Sequence, residues 1–371
     1  MKQFDLRNQA QENRWHYLVS LNLLKQIIRR ADLFLFGISY QKIVNILKVL
    51  IGFSLGRTTI NALPLFIKIE LSAACNLACT VCLHSRSNDH RHQDFSGRMP
   101  LTVFKKLVNE VKKQVLGLSL YYMGEALINY DIIEAINYAT QNRLSTHISS
   151  NFSFPMSDEM LQAIIGSGLT HLTVCIDGLT NDINQRTRVN GNVELVIENL
   201  RRLIFERKKQ NCLFPYIEVQ FIQFDHNSHQ LNEALRLFET LGVDYTAILK
   251  GSSHNYTDMH PDNYNIFLPL KKKIFPRCWW PWVSVTIKHN GDVLPCCYHR
   301  IADQFSSNRN CRAIGNIKSN SFVDIWNNID YQNTRKVCNL PKLFVNQSSL
   351  RTHFCYGCDS LFDTDKWKNM R

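Results

Sequence analysis

The sequence predicts an α/β fold: a largely parallel sheet with helices packed on it, preceded by further helices and followed by a small cysteine-containing module. Between residues 65 and 250, short apolar runs alternate with amphipathic helical patterns, and such strand–helix alternation builds parallel sheets. Residues 1–63 have a helical pattern. After residue 278, two short apolar runs flank Asn290-Gly291, which indicates a β-hairpin.

Six strands and five helices are predicted in the alternating region. The predicted strands lie at 65–71, 118–123, 145–150, 170–176, 216–223 and 244–249. The predicted helices lie at 102–116, 131–142, 157–167, 192–209 and 228–241. In the first of these helices, Phe104, Leu107 and Val111 recur at helical spacing. Ser157 is predicted to cap the third helix.

Several predicted strands have one polar face. Lys68 and Glu70 share a face of the first strand, and Glu218 and Gln220 share a face of the fifth. A packed parallel sheet is normally apolar on both faces, so polar faces indicate either a lumen that holds a polar ligand or an open, solvated sheet. We expect the lumen, because a cysteine loop follows the first of these strands.

Three cysteines follow the first strand at the spacing CxxxCxxC. Cys75, Cys79 and Cys82 therefore lie on one loop at the carboxyl end of a strand, where α/β barrels place their active sites. Three thiolates on one tight loop would leave one iron of a cubane [4Fe–4S] cluster without a protein ligand, so that a small molecule could bind there. Zinc binding and buried structural thiols are the alternatives.

The loop resembles the cluster loop of the radical S-adenosylmethionine (radical SAM) enzymes, although Val81 stands where that family usually has an aromatic residue. The resemblance implies a partial (β/α)6 barrel of the TIM type. It also implies that S-adenosylmethionine binds the open iron of a catalytic [4Fe–4S] cluster. Reductive cleavage of this cofactor would then give a 5′-deoxyadenosyl radical that abstracts a hydrogen atom from a substrate.

The ends of the second and third strands extend the resemblance. YYMGEALI resembles the family's GGEP element, which implies that Gly124 and Glu125 contact the amino group of the cofactor. HISSNFS resembles the family's ending of the third strand. Ser149, Ser150 and Asn151 are therefore candidates for binding the carboxylate or ribose of the cofactor, and loop capping by short polar residues is an equal alternative.

Two residues near the fourth strand are further candidates. Cys175, in VCIDG, replaces the serine of related sequences, and it is either a small buried residue or a thiol that donates a hydrogen atom. Arg188 follows in a stretch that resembles the family's Arg-x-Gly segment. It is a candidate for binding a carboxylate or phosphate of the cofactor, and a surface position fits it equally well, as it does Arg186.

The last third of the chain contains a second set of cysteines. Cys278, Gly291 and Cys296 have the spacing C-x12-G-x4-C, and Cys355 and Cys358 form a later CxxC. Four cysteines make a closed site for an iron–sulfur cluster or for zinc. Together with AIGNIKSNSFVDIWNN, the pattern resembles the SPASM or twitch extension of radical SAM enzymes. The resemblance implies one auxiliary [4Fe–4S] cluster on these four cysteines.

The remaining cysteines of this region are Cys297, Cys311 and Cys338, and none follows Cys358, so a second auxiliary cluster is not expected. Cys297 is either buried in the hairpin or a hydrogen-atom donor near the auxiliary cluster. The predicted domains are an N-terminal helical segment at 1–63, the radical SAM partial barrel at 64–252, the auxiliary cluster domain at 270–362 and a tail at 363–371.

The N-terminal segment has two interpretations. Its helices pack on the barrel, or they form a peripheral membrane anchor. In the second case, five basic residues would face anionic lipid: Lys25, Arg29, Arg30, Lys42 and Lys48. The apolar run IVNILKVLIGFSL is too short and too polar to span a bilayer.

Composition restricts the compartment and the partners. The net charge of +12 fits nucleic acid, a membrane surface or an acidic substrate, but basic residues are spread along the chain, which favours a simply basic surface. No RNA-binding motif is present, so we expect no nucleic-acid partner. The net charge of +12 nevertheless leaves an RNA-modifying radical enzyme as an alternative. Clustered cysteines and a polar start without the apolar core of a signal peptide indicate a reducing, cytoplasmic protein.

The sequence leaves the substrate open. Relatives with this extension oxidise or cross-link peptides, or dehydrogenate sugar-like alcohols. Residues 1–63 lack the pattern of a leader-binding winged helix, which favours a sugar-like small molecule, or a peptide presented by a partner, as the substrate of an oxidoreductase. An electron donor such as flavodoxin or ferredoxin is expected. A non-catalytic iron–sulfur or zinc-stabilised electron-transfer or binding protein is the alternative from another class.

Overall fold

The computed structural model describes residues 29–35, 37–80, 82, 96–251, 278–297, 313–340 and 355. The strands within these residues form one eight-stranded sheet. They are β1 Phe66–Ile69, β2 Gly117–Ser119, β3 Ser145–Ser150, β4 His171–Cys175, β5 Tyr216–Gln223, β6 Tyr245–Lys250, β7 Ser284–Ile287 and β8 Val293–Leu294. The order is β6-β5-β4-β3-β2-β1-β7-β8, and each pairing is parallel except that of β7 with β8.

Helices precede, alternate with and follow the strands. The described α-helices are α1 Asp32–Leu35, α2 Tyr40–Ser54, α3 Leu101–Val111, α4 Ile132–Gln141, α5 Asp158–Gly166, α6 Asn181–Asn184, α7 Val193–Lys209, α8 Leu231–Leu241, α9 Trp280–Val283, α10 Phe322–Trp326 and α11 Ile329–Asn339. The predicted α/β fold with a largely parallel sheet is therefore confirmed. Ser157 caps α5 as predicted, since its side chain accepts a hydrogen bond from the Met160 backbone.

The hydrophobic core lies between the sheet and the helices. Phe104, Leu107 and Val111 of α3 are buried, as are Ile67 and Ile69 on the outward face of β1. The predicted second strand was too long, because β2 ends at Ser119 and the chain beyond it leaves the ladder. Beyond this point Tyr121, Tyr122, Gly124 and Glu125 line the interior of the barrel.

The inward faces of the strands are polar, which confirms the predicted lumen. The register aligns Lys68, Ser119, His147, His171 and Tyr216 in one row across β1–β5. The rings of His147 and His171 lie 4.4 Å apart, and those of His171 and Tyr216 lie 5.4 Å apart. Polar side chains therefore continue below the carboxyl ends of the strands.

The predicted hairpin is confirmed, but it continues the main sheet, which the sequence did not indicate. Gly291 has φ of 92° in the turn, a conformation that glycine adopts without strain. β7 pairs with β1 in parallel, so the hairpin extends the sheet beyond the first strand. Glu70 at the end of β1 accepts hydrogen bonds from the backbone and Nδ1 of His289, at 3.2 and 2.7 Å.

Three basic residues assigned to lipid in the membrane-anchor interpretation face inward, which corrects that assignment. Arg29 and Arg30 pair with buried carboxylates. Lys42 Nζ donates a hydrogen bond of 2.5 Å to the carbonyl oxygen of Arg143. Unpaired carboxylates and carbonyl groups are costly inside a protein, and these three cations satisfy such groups.

The other two basic residues differ in position. Lys48 is exposed on α2, and Lys25 lies outside the described residues. In the part of the chain that the structure describes, no helix has both the length and the apolar character needed to cross a membrane.

Candidate active site

A cavity of about 430 Å³ opens inside the barrel at the carboxyl ends of β1–β5. We call it the chamber. The predicted site residues that line it are Cys75, Cys79, Cys82, Gly124, Glu125, Ser149, Ser150, Asn151, Cys175 and Arg188. The cysteine loop and the ends of β2, β3 and β4 thus meet as the sequence predicted.

The cysteine loop is held by hydrogen bonds to the segment after α6 and by a bond within the loop. Ala78 and Thr80 donate backbone hydrogen bonds to the carbonyl oxygens of Val189 and Thr187, at 3.0 and 2.9 Å. The Leu77 backbone donates to Cys75 Sγ at 3.4 Å. These bonds fix the loop against the segment after α6 and direct its thiols into the chamber.

Burial makes two thiols of this loop poor acids. It raises the pKa of Cys75 to about 12 and that of Cys79 to about 11. A buried thiolate therefore needs a cationic partner, as metal ligation supplies. Among the described residues, no three His, Cys, Asp or Glu side chains are arranged around one metal ion position. The assignment of Cys75, Cys79 and Cys82 as metal ligands therefore rests on their spacing and on the position of their loop at the carboxyl end of β1.

Gly124 and Glu125 join the end of β2 to the cysteine loop. Gly124 has φ of 69°, and a Cβ there would lie 2.5 Å from the Ser72 carbonyl oxygen, so only glycine fits. The Glu125 backbone donates to the Ala74 carbonyl oxygen at 2.7 Å. Its carboxylate accepts from the backbones of Leu127 and Asn151, at 3.1 and 2.7 Å. Burial nevertheless raises the pKa of Glu125 above its usual value.

The polar residues at the end of β3 both line the chamber and cap their own loop. Ser150 Oγ accepts from the Phe152 backbone at 3.0 Å, and Asn151 Oδ1 accepts from the Ser153 backbone at 2.8 Å. Asn151 Nδ2 donates to Asn76 Oδ1 at 2.9 Å and lies 3.8 Å from Cys75 Sγ. The two interpretations of these residues are therefore compatible.

Arg188 lies inside the chamber, so the surface alternative is wrong for it. Its Nε is 2.7 Å from Asp177 Oδ2, and both side chains are largely buried. Burial alone would lower the pKa of Arg188, but the Asp177 carboxylate raises it above its usual value. Arg186 is exposed, 3.6 Å from Asp182. Arg188 therefore has a carboxylate partner within this chain.

Cys175 is buried in the chamber wall. Its Sγ lies 3.5 Å from Ser149 Oγ, and burial raises its pKa. A neutral thiol at this position borders the same space as the cysteine loop. The structure thus agrees with both interpretations of Cys175, as a small buried side chain and as a thiol available to the chamber.

The floor of the chamber comes from residues that the sequence analysis did not assign to the site. Glu218 accepts from Arg29 Nε at 2.6 Å and from His171 Nε2 at 3.1 Å. Burial would raise the pKa of Glu218, but these two partners lower it below its usual value. His147, which also lines the chamber, has its pKa held well below the usual value by burial and by the charge of His171.

Alternation along β3 places His147 and Ser149 on one face, so the period of the strand was a signal for His147. Arg29 had no such signal, because its partner lies 189 positions away.

The second cysteine set is partly described. Cys278, Cys296, Cys297 and Cys355 are half-buried, and Cys358 lies outside the described residues. Cys338, which the sequence analysis left unassigned, is buried with its Sγ 4.0 Å from Cys355 Sγ. Burial raises the pKa of Tyr331 well above its usual value, and the nearby thiols add to that shift. Cys338 therefore lies within the second cysteine set.

Family models match both parts of the chain. The model of the radical SAM superfamily matches residues 69–212. The SPASM model, described as an iron–sulfur cluster-binding domain, matches residues 278–359. The first match contains the cysteine loop, and the second contains all four cysteines predicted for the auxiliary cluster.

The curated relatives share less than a quarter of the aligned residues with this chain. Mycofactocin maturase MftC of Mycobacterium tuberculosis (strain ATCC 25618 / H37Rv) is 23% identical over 210 residues, which cover 53% of this chain and 49% of the relative. AdoMet-dependent heme synthase of Methanosarcina barkeri is 23% identical over 181 residues, which cover 48% of each. The chain spans about half the length of the curated relatives it matches.

Solved structures share the fold. Streptococcus suis SuiB bound to S-adenosylmethionine superposes with a TM-score of 0.58 at 15% identity, over 85% of this chain and 78% of SuiB. The SuiB complex with precursor peptide SuiA gives 0.56 at 14% identity, over 76% and 68%. Native anSMEcpe with bound AdoMet gives 0.51 at 15% identity, over 74% and 84%. At such identities these likenesses show the fold alone.

Proposed function

We propose that this chain, which carries a radical SAM domain followed by an iron–sulfur-binding SPASM domain, cleaves S-adenosylmethionine reductively in the chamber and oxidises a substrate there. The observation that supports this best is the meeting of ten predicted site residues around one cavity. When bound, the [4Fe–4S] cluster and S-adenosylmethionine supply one-electron transfer and abstraction of a hydrogen atom.

The residues of the chamber fit these groups. Cys75, Cys79 and Cys82 would hold the catalytic cluster, since their loop borders the cavity and two of these thiols have pKa values raised by burial. Thiols of this kind ionise when a cation takes the proton's place. Gly124 allows the backbone after β2 to pack directly on the loop that carries them.

The other residues position the cofactor and close the space. Glu125 would attract the ammonium group of the cofactor, while its bonds to the backbones of Leu127 and Asn151 hold the ends of β2 and β3 together. Ser149, Ser150, Asn151 and Arg188 would border its carboxylate or ribose. The Arg29–Glu218 pair closes the floor and limits the entry of water from that side.

One auxiliary [4Fe–4S] cluster would occupy the second cysteine set. Cys278, Cys296, Cys355 and Cys358 remain its proposed ligands, and the contact between Cys338 and Cys355 makes Cys338 a competing fifth candidate. The predicted domain bounds are proposals of the same kind.

A peptide is the substrate class that we favour, in place of the sugar-like molecule favoured by the sequence alone. The curated relatives include maturases, and SuiB has been solved with a precursor peptide. A polar chamber with histidine, tyrosine and arginine in its wall can accept a polar side chain of such a peptide. Flavodoxin or ferredoxin is the proposed electron donor.

Two cysteines are proposed as hydrogen-atom donors to a substrate radical. Cys175 is better placed than Cys297, because it lines the chamber. A hydrogen atom donated by Cys175 would leave the substrate at its starting oxidation level and a thiyl radical on Cys175, which an electron from the proposed flavodoxin or ferredoxin and a proton would return to the thiol. A purely structural Cys175 leaves the oxidation of the substrate proposed above.

Anaerobic cleavage of S-adenosylmethionine tests the proposal. The reconstituted wild type, reduced with dithionite, should release 5′-deoxyadenosine, and Cys75→Ala should release less than about one-thousandth as much, because one cluster ligand is gone. Cys212→Ala is the matched control, since Cys212 is exposed and outside the chamber, and it should behave like the wild type. Equal release by Cys75→Ala and Cys212→Ala would refute the assignment.

A further inference from the structure

Helix α2 buries polar side chains and exposes most of its large apolar ones. Its buried side carries Lys42 and Asn45 beside Val49 and Gly52. Its opposite side exposes large apolar residues, which together with the two flanking positions we call the α2 stripe: Ile38 43%, Tyr40 80%, Ile43 45%, Leu47 54%, Leu50 50%, Ile51 52% and Leu55 63%. A helix that packs on a protein core normally turns such a stripe inward.

Polar bonds explain the orientation. Asn45 Nδ2 donates to the carbonyl oxygens of Leu63 and Gln114, at 2.9 and 3.2 Å, and Asn45 Oδ1 accepts from the Leu63 backbone at 2.9 Å. Lys42 Nζ binds the carbonyl oxygen of Arg143. Rotating the helix to bury the stripe would break all of these bonds. The apolar side is therefore fixed outward.

The same bonds locate α2 on the barrel. Leu63, Gln114 and Arg143 precede β1, β2 and β3, so α2 crosses the amino-terminal edge of the sheet. The chamber opens at the carboxyl ends of the strands. A surface that binds the α2 stripe would thus lie at the end of the barrel away from the cysteine loop.

The charge around the stripe is positive. No Asp or Glu occurs from residue 33 to residue 69, and Lys48 and Arg57 are exposed there. Lys48 lies at the edge of the stripe, where a lysine can keep its ammonium group in the polar layer while its stem follows apolar surface. A stripe of this kind with a cationic edge complements an anionic bilayer surface.

Neighbouring residues extend the apolar surface. Trp282 of α9 donates from Nε1 to the Arg57 carbonyl oxygen at 2.9 Å, and Asn339 donates to the Gly56 carbonyl oxygen at 3.2 Å. Both contacts bring exposed apolar residues near the end of α2, namely Trp279 at 49% and Leu340 at 53% exposure. Exposed apolar surface of this extent on a water-soluble domain marks a site of interaction.

We propose that the α2 stripe docks this protein on the surface of an anionic lipid bilayer, as an interfacial helix, with the mouth of the chamber turned away from the lipid. Lys48 and Arg57 attract the anionic headgroups, and the apolar residues enter the interface. Arg29, Arg30 and Lys42 take no part, since they face inward. The docking is independent of the radical chemistry and of the substrate.

Flotation with vesicles tests the docking. The full-length protein should float with vesicles of phosphatidylcholine and phosphatidylglycerol, and much less with phosphatidylcholine alone. The variant Leu47→Gln/Leu50→Gln/Ile51→Gln should bind the anionic vesicles at least about tenfold more weakly, because three side chains of the stripe lose their apolar surface. Raising the salt concentration should weaken wild-type binding.

The matched control is Phe205→Gln/Leu213→Gln. These residues are 66% and 76% exposed but lie outside the stripe, so their replacement should leave flotation unchanged. Circular dichroism melts show that each variant is folded. Failure of the wild type to float, or equal flotation of the triple variant and the wild type, would overturn the proposal. So would a wild-type dimer that the triple variant converts to a monomer, because a second copy would then cover the stripe.

Discussion

At the scale of single residues, the buried cation of Lys42 fixes the contact between α2 and Arg143, which lies just before β3. Lys42 is 2% exposed, and its ammonium group binds the backbone carbonyl oxygen of Arg143. Desolvation by burial, together with the charge of Arg143, lowers the pKa of Lys42 from 10.5 to about 8. Burying the charged ammonium group therefore costs free energy, although its hydrogen bond helps to orient α2.

This cost predicts a pH dependence of stability. Because the folded protein holds the Lys42 proton less tightly than the unfolded chain does, unfolding takes up a proton between pH 8 and 10.5, and raising the pH favours the folded state. The wild type should therefore gain about 1–2 kcal/mol relative to Lys42→Met over this interval, less than the full shift implies, because solvent screens part of it. Denaturant unfolding at several pH values measures the difference.

Lys48→Met is the control, since Lys48 is exposed on the same helix. Its stability relative to the wild type should stay constant with pH. A flat difference for Lys42→Met as well would show that the Lys42 ammonium group is solvated.

At the scale of elements, the sequence predicted what depends on local periodicity. The bounds of β3 and β5 match their predictions, because inward and outward residues alternate along each strand. The pairing of β7 with β1 joins residues such as Phe66 and Ser284, and no local pattern encodes a contact of that range. The outward stripe of α2 was also unpredictable, since periodicity identifies an apolar face but not the partner that Asn45 selects.

In the site, too, local sequence patterns could be predicted and long-range contacts could not. Spacing identified the cysteine loop, and strand ends identified Gly124, Glu125 and Asn151, because their motifs are short. The floor pair escaped notice because Arg29 belongs to a different predicted domain from Glu218. Cys338 could not be assigned because its neighbour Cys355 is 17 positions away, and no local pattern indicates that contact.

Helix α11 carries a testable consequence for the second cysteine set. Cys338 is buried near the end of this helix, 4.0 Å from Cys355, so we expect it to contribute to metal retention. Cys338→Ser should lower the iron and sulfide content of the reconstituted protein by about one cluster per chain, as Cys355→Ser should. Chemical analysis of iron and sulfide measures this, and cleavage of S-adenosylmethionine should persist in both variants.

Cys297→Ser serves as the control, because Cys297 is adjacent to a predicted ligand but is not itself expected to bind metal. Full iron content in Cys338→Ser would leave Cys358 as the fourth ligand and Cys338 as a packing residue. Zinc in place of iron in the wild type would contradict the auxiliary cluster itself.

At the scale of the whole molecule, the N-terminal segment contacts the fifth strand at the floor of the chamber. Arg29 precedes the first strand, yet its guanidinium group binds Glu218 of β5, which also binds His171 of β4. Glu218 is fully buried, whereas the Arg29 side chain is 25% exposed. The pair thus joins the N-terminal segment to β5, on the far side of the sheet.

Removing one partner of this pair should lower the free energy of unfolding by more than the intact pair contributes to it, because the other charge stays buried without that partner. In Arg29→Met, Glu218 would remain buried with the His171 imidazole, whose pKa burial lowers, as its remaining partner in the pair described above, and the free energy of unfolding should fall by about 2–4 kcal/mol. Glu218→Gln should cost a comparable amount, and the double variant less than the sum. A double-mutant cycle from denaturant unfolding should give a coupling of about 1–3 kcal/mol.

The surface pair formed by Arg201 and Glu198 provides the reference cycle. Both side chains are about half exposed and three positions apart on α7, so the coupling between Arg201→Met and Glu198→Gln should stay below about 0.5 kcal/mol. Each pair joins an arginine to a glutamate, and burial is the main difference between them. Equal couplings would mean that water reaches Glu218, and the chamber would then be open at its floor. A large difference would mean that the buried contact between the N-terminal segment and β5 stabilises the fold.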